Sequence, residues 1–126
     1  MKQLYAILTV AMLSVALCSH AQDQVQIRLV NSNGMEAVIS NYGARLVSLT
    51  AHNWNGRLEP VVKTYTNKEE YMKDRTLGAT LLFFGKNHEE TLSGKMWELV
   101  SSDNQSVTLR YVTSEGENGL DGKLNV

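Results

Sequence analysis

Turn signals recur along this chain so often that no segment between them is long enough for more than a strand or one short helix. Asn31-Ser32-Asn33-Gly34 and Asn53-Trp54-Asn55-Gly56 are both rich in residues that tolerate positive φ. Ser102-Asp103-Asn104-Gln105 has the same character, and Ser114 to Gly122 is a loop of Gly, Glu, Asp and Asn. The pieces between them alternate. Val25-Gln26-Ile27-Arg28-Leu29 has the period of a half-buried strand, and Met35 to Ser40, Leu46 to Ala51 and Pro60-Val61-Val62 follow as short extended segments. Leu77 to Phe84 is strongly apolar and reads as a buried strand. Lys86 to Gly94 is polar and reads as a loop, and Met96 to Ser101 is strand-like. Ser106 to Thr113 is the clearest strand, with Val107, Leu109 and Tyr111 on one face and Thr108, Arg110 and Thr113 on the other, Val112 breaking the pattern. One helix of one or two turns is expected over Asn67 to Asp74. Thr66 or Asn67 would cap it, and Glu69 and Glu70 would sit in its first turn, where the helix dipole favours negative charge. Short strands at this spacing imply an all-β sandwich. Lys123-Leu124-Asn125-Val126 opens another alternating strand, which is expected to need a continuation.

The first residues follow a different rule. Lys2 supplies a positive charge, and Leu4 to Leu17 is apolar except for Thr9 and Ser14. Ser19-His20-Ala21 then places small residues three places and one place before Gln22, the pattern of a cleaved secretory signal. The apolar run of roughly 14 residues is short of the about 20 needed to span a bilayer as a helix. The expected division is therefore a signal peptide over residues 1–21 and one domain over 22–126, periplasmic or secreted after cleavage before Gln22. No stable membrane anchor is expected. Cys18 is the sole cysteine. A lipoprotein signal wants a small residue directly before the lipid-bearing cysteine, and Leu17 fits that poorly, so Cys18 is expected to leave with the signal. The mature chain would then form no disulfide.

Charge excludes more than it selects. Charged residues make up 20% of the 126, with a formal net charge of −1. There is no basic stripe for nucleic acid and no acidic tail. A neutral or polar ligand fits this balance best.

Three stretches, in order, resemble the aldose 1-epimerase (galactose mutarotase) family. The first runs from Val30 through Ser40-Asn41-Tyr42-Gly43-Ala44-Arg45 to Leu49, similar to the family's opening strand, turn and Asn-Tyr-Gly-Ala-like strand end. The second comprises Val61-Val62, Tyr65 and Glu70-Tyr71, up to Gly78-Ala79-Thr80. The third runs from Trp97-Glu98 through Val107-Thr108-Leu109 to Ser114-Glu115-Gly116-Glu117-Asn118-Gly119-Leu120-Asp121-Gly122-Lys123-Leu124, and looks like the family's Ser-Pro-Asp-Gly-Glu-Glu-Gly-Tyr-Pro-Gly-Asn-Leu segment. The resemblance covers roughly Gln26 to Val126. It implies the opening strands of a galactose mutarotase-like supersandwich and a hexose ligand. It also implies interconversion of α and β anomers without a cofactor. Between Gly78 and Trp97 the likeness fails. The family has a Gly-Arg-Tyr-Ala-Asn-Arg-Ile-like run there and later a Leu-His-Gly-Gly run, and this chain is too short to hold both. If Thr91-Leu92-Ser93-Gly94 matches the second, its histidine has become Ser93. If Asn87-His88 is a relic of the Asn-Arg pair, the guanidinium fork is gone.

Mutarotation needs a base at the anomeric hydroxyl and an acid at the ring oxygen. In the family these are a Glu and a His, and no residue here matches either, so no catalytic residue is assigned. The expectation is a truncated family member, inactive alone. The alternatives are a non-catalytic carbohydrate-binding module on the same scaffold and the N-terminal piece of a glycoside hydrolase. Asn87, His88 and Trp54 are the candidate sugar-binding residues. Asn87-His88-Glu89-Glu90 has no metal-ligand spacing and reads otherwise as a solvated loop. His52, beside a turn, reads as a surface histidine. Ser93 lacks the Gly-x-Ser-x-Gly setting of a nucleophile. Trp97 lies in a core pattern and reads as packing, whereas Trp54 lies in a turn and is open to stacking on a sugar. The acidic loop from Glu115 to Asp121 lacks calcium-ligand spacing, so no metal is expected.

Overall fold

The computed structural model describes residues 23–83, 92–119 and 122–126. The first half is a four-stranded antiparallel meander, β1 (Gln26–Val30), β2 (Glu36–Ser40), β3 (Arg45–His52) and β4 (Leu58–Pro60), paired in that order. A helix, α1 (Lys68–Lys73), follows, and then a two-stranded ladder, β5 (Glu98–Ser102) with β6 (Val107–Arg110). No helix among the described residues is long and apolar enough to cross a membrane.

The two hairpin turns are built by one device. Asn31 Oδ1 accepts from the N–H groups of Asn33 and Met35, at 2.9 and 3.0 Å. Asn53 Oδ1 accepts from Asn55 and Arg57 at the same distances. In each turn the glycine N–H closes back on the Asn carbonyl, Gly34 on Asn31 at 3.0 Å and Gly56 on Asn53 at 2.9 Å. A short Asn side chain satisfies backbone donors that a bend would otherwise strand, which is why the Asn-x-Asn-Gly pattern dictates the turn locally. The helix is equally local in origin. Asn67 caps it by accepting from Glu70 N–H at 3.0 Å, with Glu69 and Glu70 in the first turn and Lys73 in the last. Pro60 sits on the sheet's edge strand, where a missing N–H costs no ladder bond.

Two expectations need correction. The apolar run from Leu77 forms no strand as far as Phe83; Phe84 lies outside the described residues. A turn at Leu77-Gly78, closed by Ala79 N–H to Thr76 O at 3.1 Å, interrupts the run. Beyond it Leu82 is half-buried, and Leu81 and Phe83 are 43% and 62% exposed. Thr113, expected among the outward residues, is buried, as period two requires once Val107, Leu109 and Tyr111 face inward. Its hydroxyl accepts from Leu124 N–H at 2.7 Å. The final residues do extend the ladder there. Val112 bridges Asn125, and Tyr111 and Val126 exchange backbone bonds of 3.1 and 2.9 Å.

The interior is more polar than apolar among the described residues. Tyr71, Leu92 and Trp97 are its buried apolar members, beside Ser40, Asn41, Arg45, Ser93 and Thr113. Buried polar groups are tolerable only when hydrogen-bonded, so the hydrogen bonds of this centre define how the pieces join.

Candidate functional site

The Asn41-Tyr42-Gly43-Ala44-Arg45 run between β2 and β3 is the junction of the molecule. Asn41 uses both ends of its amide. Oδ1 accepts from Val25 N–H at 2.8 Å, and Nδ2 donates to Asp23 O at 3.2 Å and Trp97 O at 3.3 Å. Its backbone carbonyl takes Trp97 N–H at 2.8 Å. One side chain thus ties the lead-in to β1 and the lead-in to β5 onto the sheet. Gly43 follows with φ of +74°, donating to Lys95 O at 2.7 Å and accepting from Thr80 N–H at 3.0 Å. A Cβ at this position would lie 2.2 Å from Ser93 O, so the backbones approach more closely than any side chain permits.

Arg45 is the largest fully buried side chain among the described residues. Its guanidinium donates through Nη1 to Asp74 O (3.2 Å) and Leu77 O (2.9 Å), and through Nη2 to Arg75 O (3.0 Å) and Ser93 O (3.3 Å). It also lies over the rings of Tyr42 and Tyr71, 5.5 and 5.0 Å from their centroids. A planar fork is the only side chain that reaches four carbonyls this way. The sequence reading passed over Arg45, although a lone charge immediately after Asn-Tyr-Gly-Ala at a strand start was a usable signal.

Beside this junction opens a polar cleft of about 240 Å³, lined among others by Gln24, Tyr42, Tyr65, Asn67, Lys68 and Tyr71. Arg45 and Ser40 form buried polar parts of its wall. Tyr65 and Tyr71 meet edge to face at 5.1 Å, and the Tyr65 hydroxyl donates to Asp74 Oδ2 at 2.7 Å. The Thr76 hydroxyl, the Tyr65 hydroxyl and the Thr76 N–H hold the Asp74 carboxyl well below its ordinary range. The bond to Asp74 in turn raises the Tyr65 phenol. Aromatic faces beside amides and an ammonium suit a polar ligand of monosaccharide size. No cluster of three or more His, Cys, Asp or Glu side chains that would hold a metal occurs among the described residues.

A second titratable cluster is spent internally. Glu117 accepts from Lys95 at 3.0 Å, from the Tyr111 hydroxyl at 3.1 Å and from Ser114 N–H at 2.9 Å. Burial opposes its charge, but these donors together keep the carboxyl below its ordinary range. Tyr111 packs on Trp97 at 5.9 Å, so the cluster ties the acidic loop to the core through Glu117, while Ser114, Glu115, Gly116 and Gly119 stay exposed. Trp97 is 3% exposed, the packing role its pattern implied.

Of the candidate sugar-binding residues, Trp54 alone falls among the described residues. Trp54 stands at the tip of the β3–β4 turn, 93% exposed and outside the lining of the cleft. Asn87 and His88 lie outside the described residues, as do Glu89 and Glu90. Ser93 is fully buried, with its carbonyl on Arg45, so no open pocket surrounds it. His52 is exposed, and both ring nitrogens face carbonyls, Nδ1 at 3.0 Å from Gly56 O and Nε2 at 2.7 Å from Asn33 O.

Known proteins place this architecture. The aldose 1-epimerase family model matches residues 25–87, half of the chain, and so contains the Asn41–Arg45 junction. A probable aldose 1-epimerase of Arthroderma benhamiae is 31% identical over 65 residues, 52% of this chain and 14% of that protein. The crystal structure of a GalM/aldose epimerase homologue from C. elegans has the same fold, with a TM-score of 0.69 at 21% identity over 82% of this chain. The present chain covers 40% of that protein, and its strands are therefore part of a mutarotase-like β-sandwich. The stretch from Trp97 to Leu124 falls outside the family match, and its place rests on the fold alone. With half its length matched and its strands laid out in the same fold, the chain belongs to the aldose 1-epimerase family.

Proposed function

We propose that this chain forms the opening part of a mutarotase-like sandwich in hexose metabolism and does not interconvert anomers by itself. Ring opening needs an acid and a base on opposite parts of one sugar, with the sugar fixed between them. The observation that carries the reading is the setting of Ser93. If Thr91-Leu92-Ser93-Gly94 matches the family's Leu-His-Gly-Gly run, Ser93 takes the histidine's place, and it is fully buried with its carbonyl on Arg45. The one histidine among the described residues, His52, has both nitrogens directed at backbone carbonyls. Polarimetry of freshly dissolved α-D-glucose and α-D-galactose tests this. The protein should relax the rotation no faster than buffer. A rate above that of matched His88→Ala, Glu89→Ala and Glu90→Ala variants would place an active site where this reading has none.

A second reading, a non-catalytic sugar-binding module, draws on the cleft beside Tyr42, Tyr65 and Tyr71. Titration with galactose or glucose would then move the backbone amides of Gln24, Tyr42 and Asn67. Unmoved amides at millimolar sugar would remove it. In either reading the export pattern of residues 1–21 implies a mature protein beginning at Gln22, which mass spectrometry of the exported fraction checks; an intact Met1 or a lipid on Cys18 would overturn it.

A further inference from the structure

The two Asn-built turns, residues 31–34 and 53–56, lie at the same end of the sheet, and one side chain joins them. His52 is the last residue of β3. Its Nδ1 is 3.0 Å from Gly56 O in its own turn, and its Nε2 is 2.7 Å from Asn33 O in the other. Both partners are acceptors. A neutral imidazole has one N–H and one lone pair, so it can satisfy only one of two carbonyls, and the other then faces a lone pair at contact distance. Only the imidazolium has a donor for each. We propose that His52 is a pH-operated clasp between the tips of the two hairpin turns, closed by the imidazolium and opened on one side when the ring loses its proton.

The surroundings fit a clasp set by these two bonds. The β1–β2 turn offers Asn31, Ser32 and Asn33, none of them titratable. The β3–β4 turn and β4 carry Arg57 and Glu59. The Glu59 carboxylate accepts from Asn53 Nδ2 at 2.8 Å. On β2, Glu36 stands opposite Thr50 and is paired with Arg28 of β1 at 2.6 Å. None of these charged groups is bonded to the ring. The Asn33 carbonyl first, and then that of Gly56, raise the His52 pKa above the ordinary histidine value, against a smaller opposing effect of burial. The sign follows. A raised folded-state pKa gives a contribution that is complete below the unfolded-state value and is lost as pH rises through the folded-state value. The clasp is therefore closed on the acid side and opens toward or above neutrality.

The consequence falls on Trp54. Its turn is held by Asn53 Oδ1, by the Gly56 N–H closure and by His52 on the Gly56 carbonyl. A neutral ring that keeps its proton on Nε2 for Asn33 releases the third and leaves the exposed indole on a looser support, which links presentation of this aromatic to pH.

The test is an NMR titration of the isotope-labelled full chain. The His52 ring should titrate with a midpoint above that of an ordinary histidine. The ¹⁵N shifts of Gly34 and Arg57, whose amides share peptide planes with the Asn33 and Gly56 carbonyls, should contain at least one that follows the same midpoint. In His52→Gln that co-titration should be lost. In Glu59→Gln and Glu36→Gln the His52 midpoint should stay where it is. A wild-type ring midpoint at or below the ordinary value, or turn amides that ignore it, would overturn the clasp. A midpoint returned to the ordinary value by Glu59→Gln or Glu36→Gln would also overturn it, by showing that a carboxylate and not the carbonyl pair sets the proton.

Discussion

Replacing Gly43 by alanine should damage this fold far more than the same change at Gly56, and the structure says by how much. Both glycines have left-handed φ, +74° and +75°. The cost of that conformation for an L-residue is about 1–2 kcal/mol, and it applies to both. The surroundings differ. A Cβ at Gly56 meets nothing within 4 Å, whereas at Gly43 it comes to 2.2 Å from Ser93 O and 3.0 Å from Ser93 C. Those are backbone atoms and cannot rotate away. The segment carrying Ser93 must move, which endangers the Gly43 N–H to Lys95 O bond at 2.7 Å and the Arg45 bond to Ser93 O at 3.3 Å. Each buried polar group left without its partner costs about 1–3 kcal/mol. With both bonds lost, Gly43→Ala should therefore lose about 3–8 kcal/mol and Gly56→Ala about 1–2 kcal/mol. A small domain has about 5–15 kcal/mol in total, so the first variant is brought near unfolding. Urea titration followed by tryptophan emission reads the difference, since Trp97 is buried and Trp54 is already exposed. At about 1–3 kcal/mol per molar of urea, the two midpoints should differ by about 1 M or more. The protein should be dilute enough that the curve is independent of concentration. Midpoints that agree within error would refute the reasoning, because they would show that the close approach to Ser93 carries no constraint.

Arg45→Met should cost at least about 3 kcal/mol by stranding the carbonyls of Asp74, Leu77, Arg75 and Ser93, and Arg45→Lys should recover only part, because an ammonium has no planar fork; urea midpoints in the order wild type, Lys, Met check this. The depressed Asp74 carboxyl stabilises the fold above its unfolded-state pKa and loses that contribution as pH falls through its folded-state value, so Asp74→Asn should flatten the loss of stability below about pH 4. Thermal melts at stepped pH would show it, and an unchanged acid limb would count against it. The isolated residues 22–126 should self-associate, since Val61, Met72, Phe83 and Val100 are between 49% and 62% exposed and every residue of β5 is exposed. A monodisperse monomer in sedimentation, with a cooperative thermal transition, would contradict this.

What the residues dictate by themselves is what can be settled within a few positions along the chain. The Asn31 and Asn53 turns, the Asn67 cap and the alternation of β1 and β6 are of this kind, because a short side chain bonding its own backbone, or a pleat of period two, needs no distant partner. The family was legible for a related reason. Asn41-Tyr42-Gly43-Ala44 is a run whose chemistry has to be kept for its neighbours to meet. Tertiary structure decided the rest. No local rule buries an arginine at a strand start, and Arg45 is inside only because carbonyls 29 to 48 residues away in the sequence converge on it. The same dependence on remote cover works in reverse for Leu81 and Phe83, which are apolar enough for a core but stand exposed among the described residues. Trp54 has the chemistry of a sugar platform, yet the hairpin carries it away from the cleft, and His52, an ordinary surface histidine in one dimension, becomes a bridge once the fold brings Asn33 to its other nitrogen.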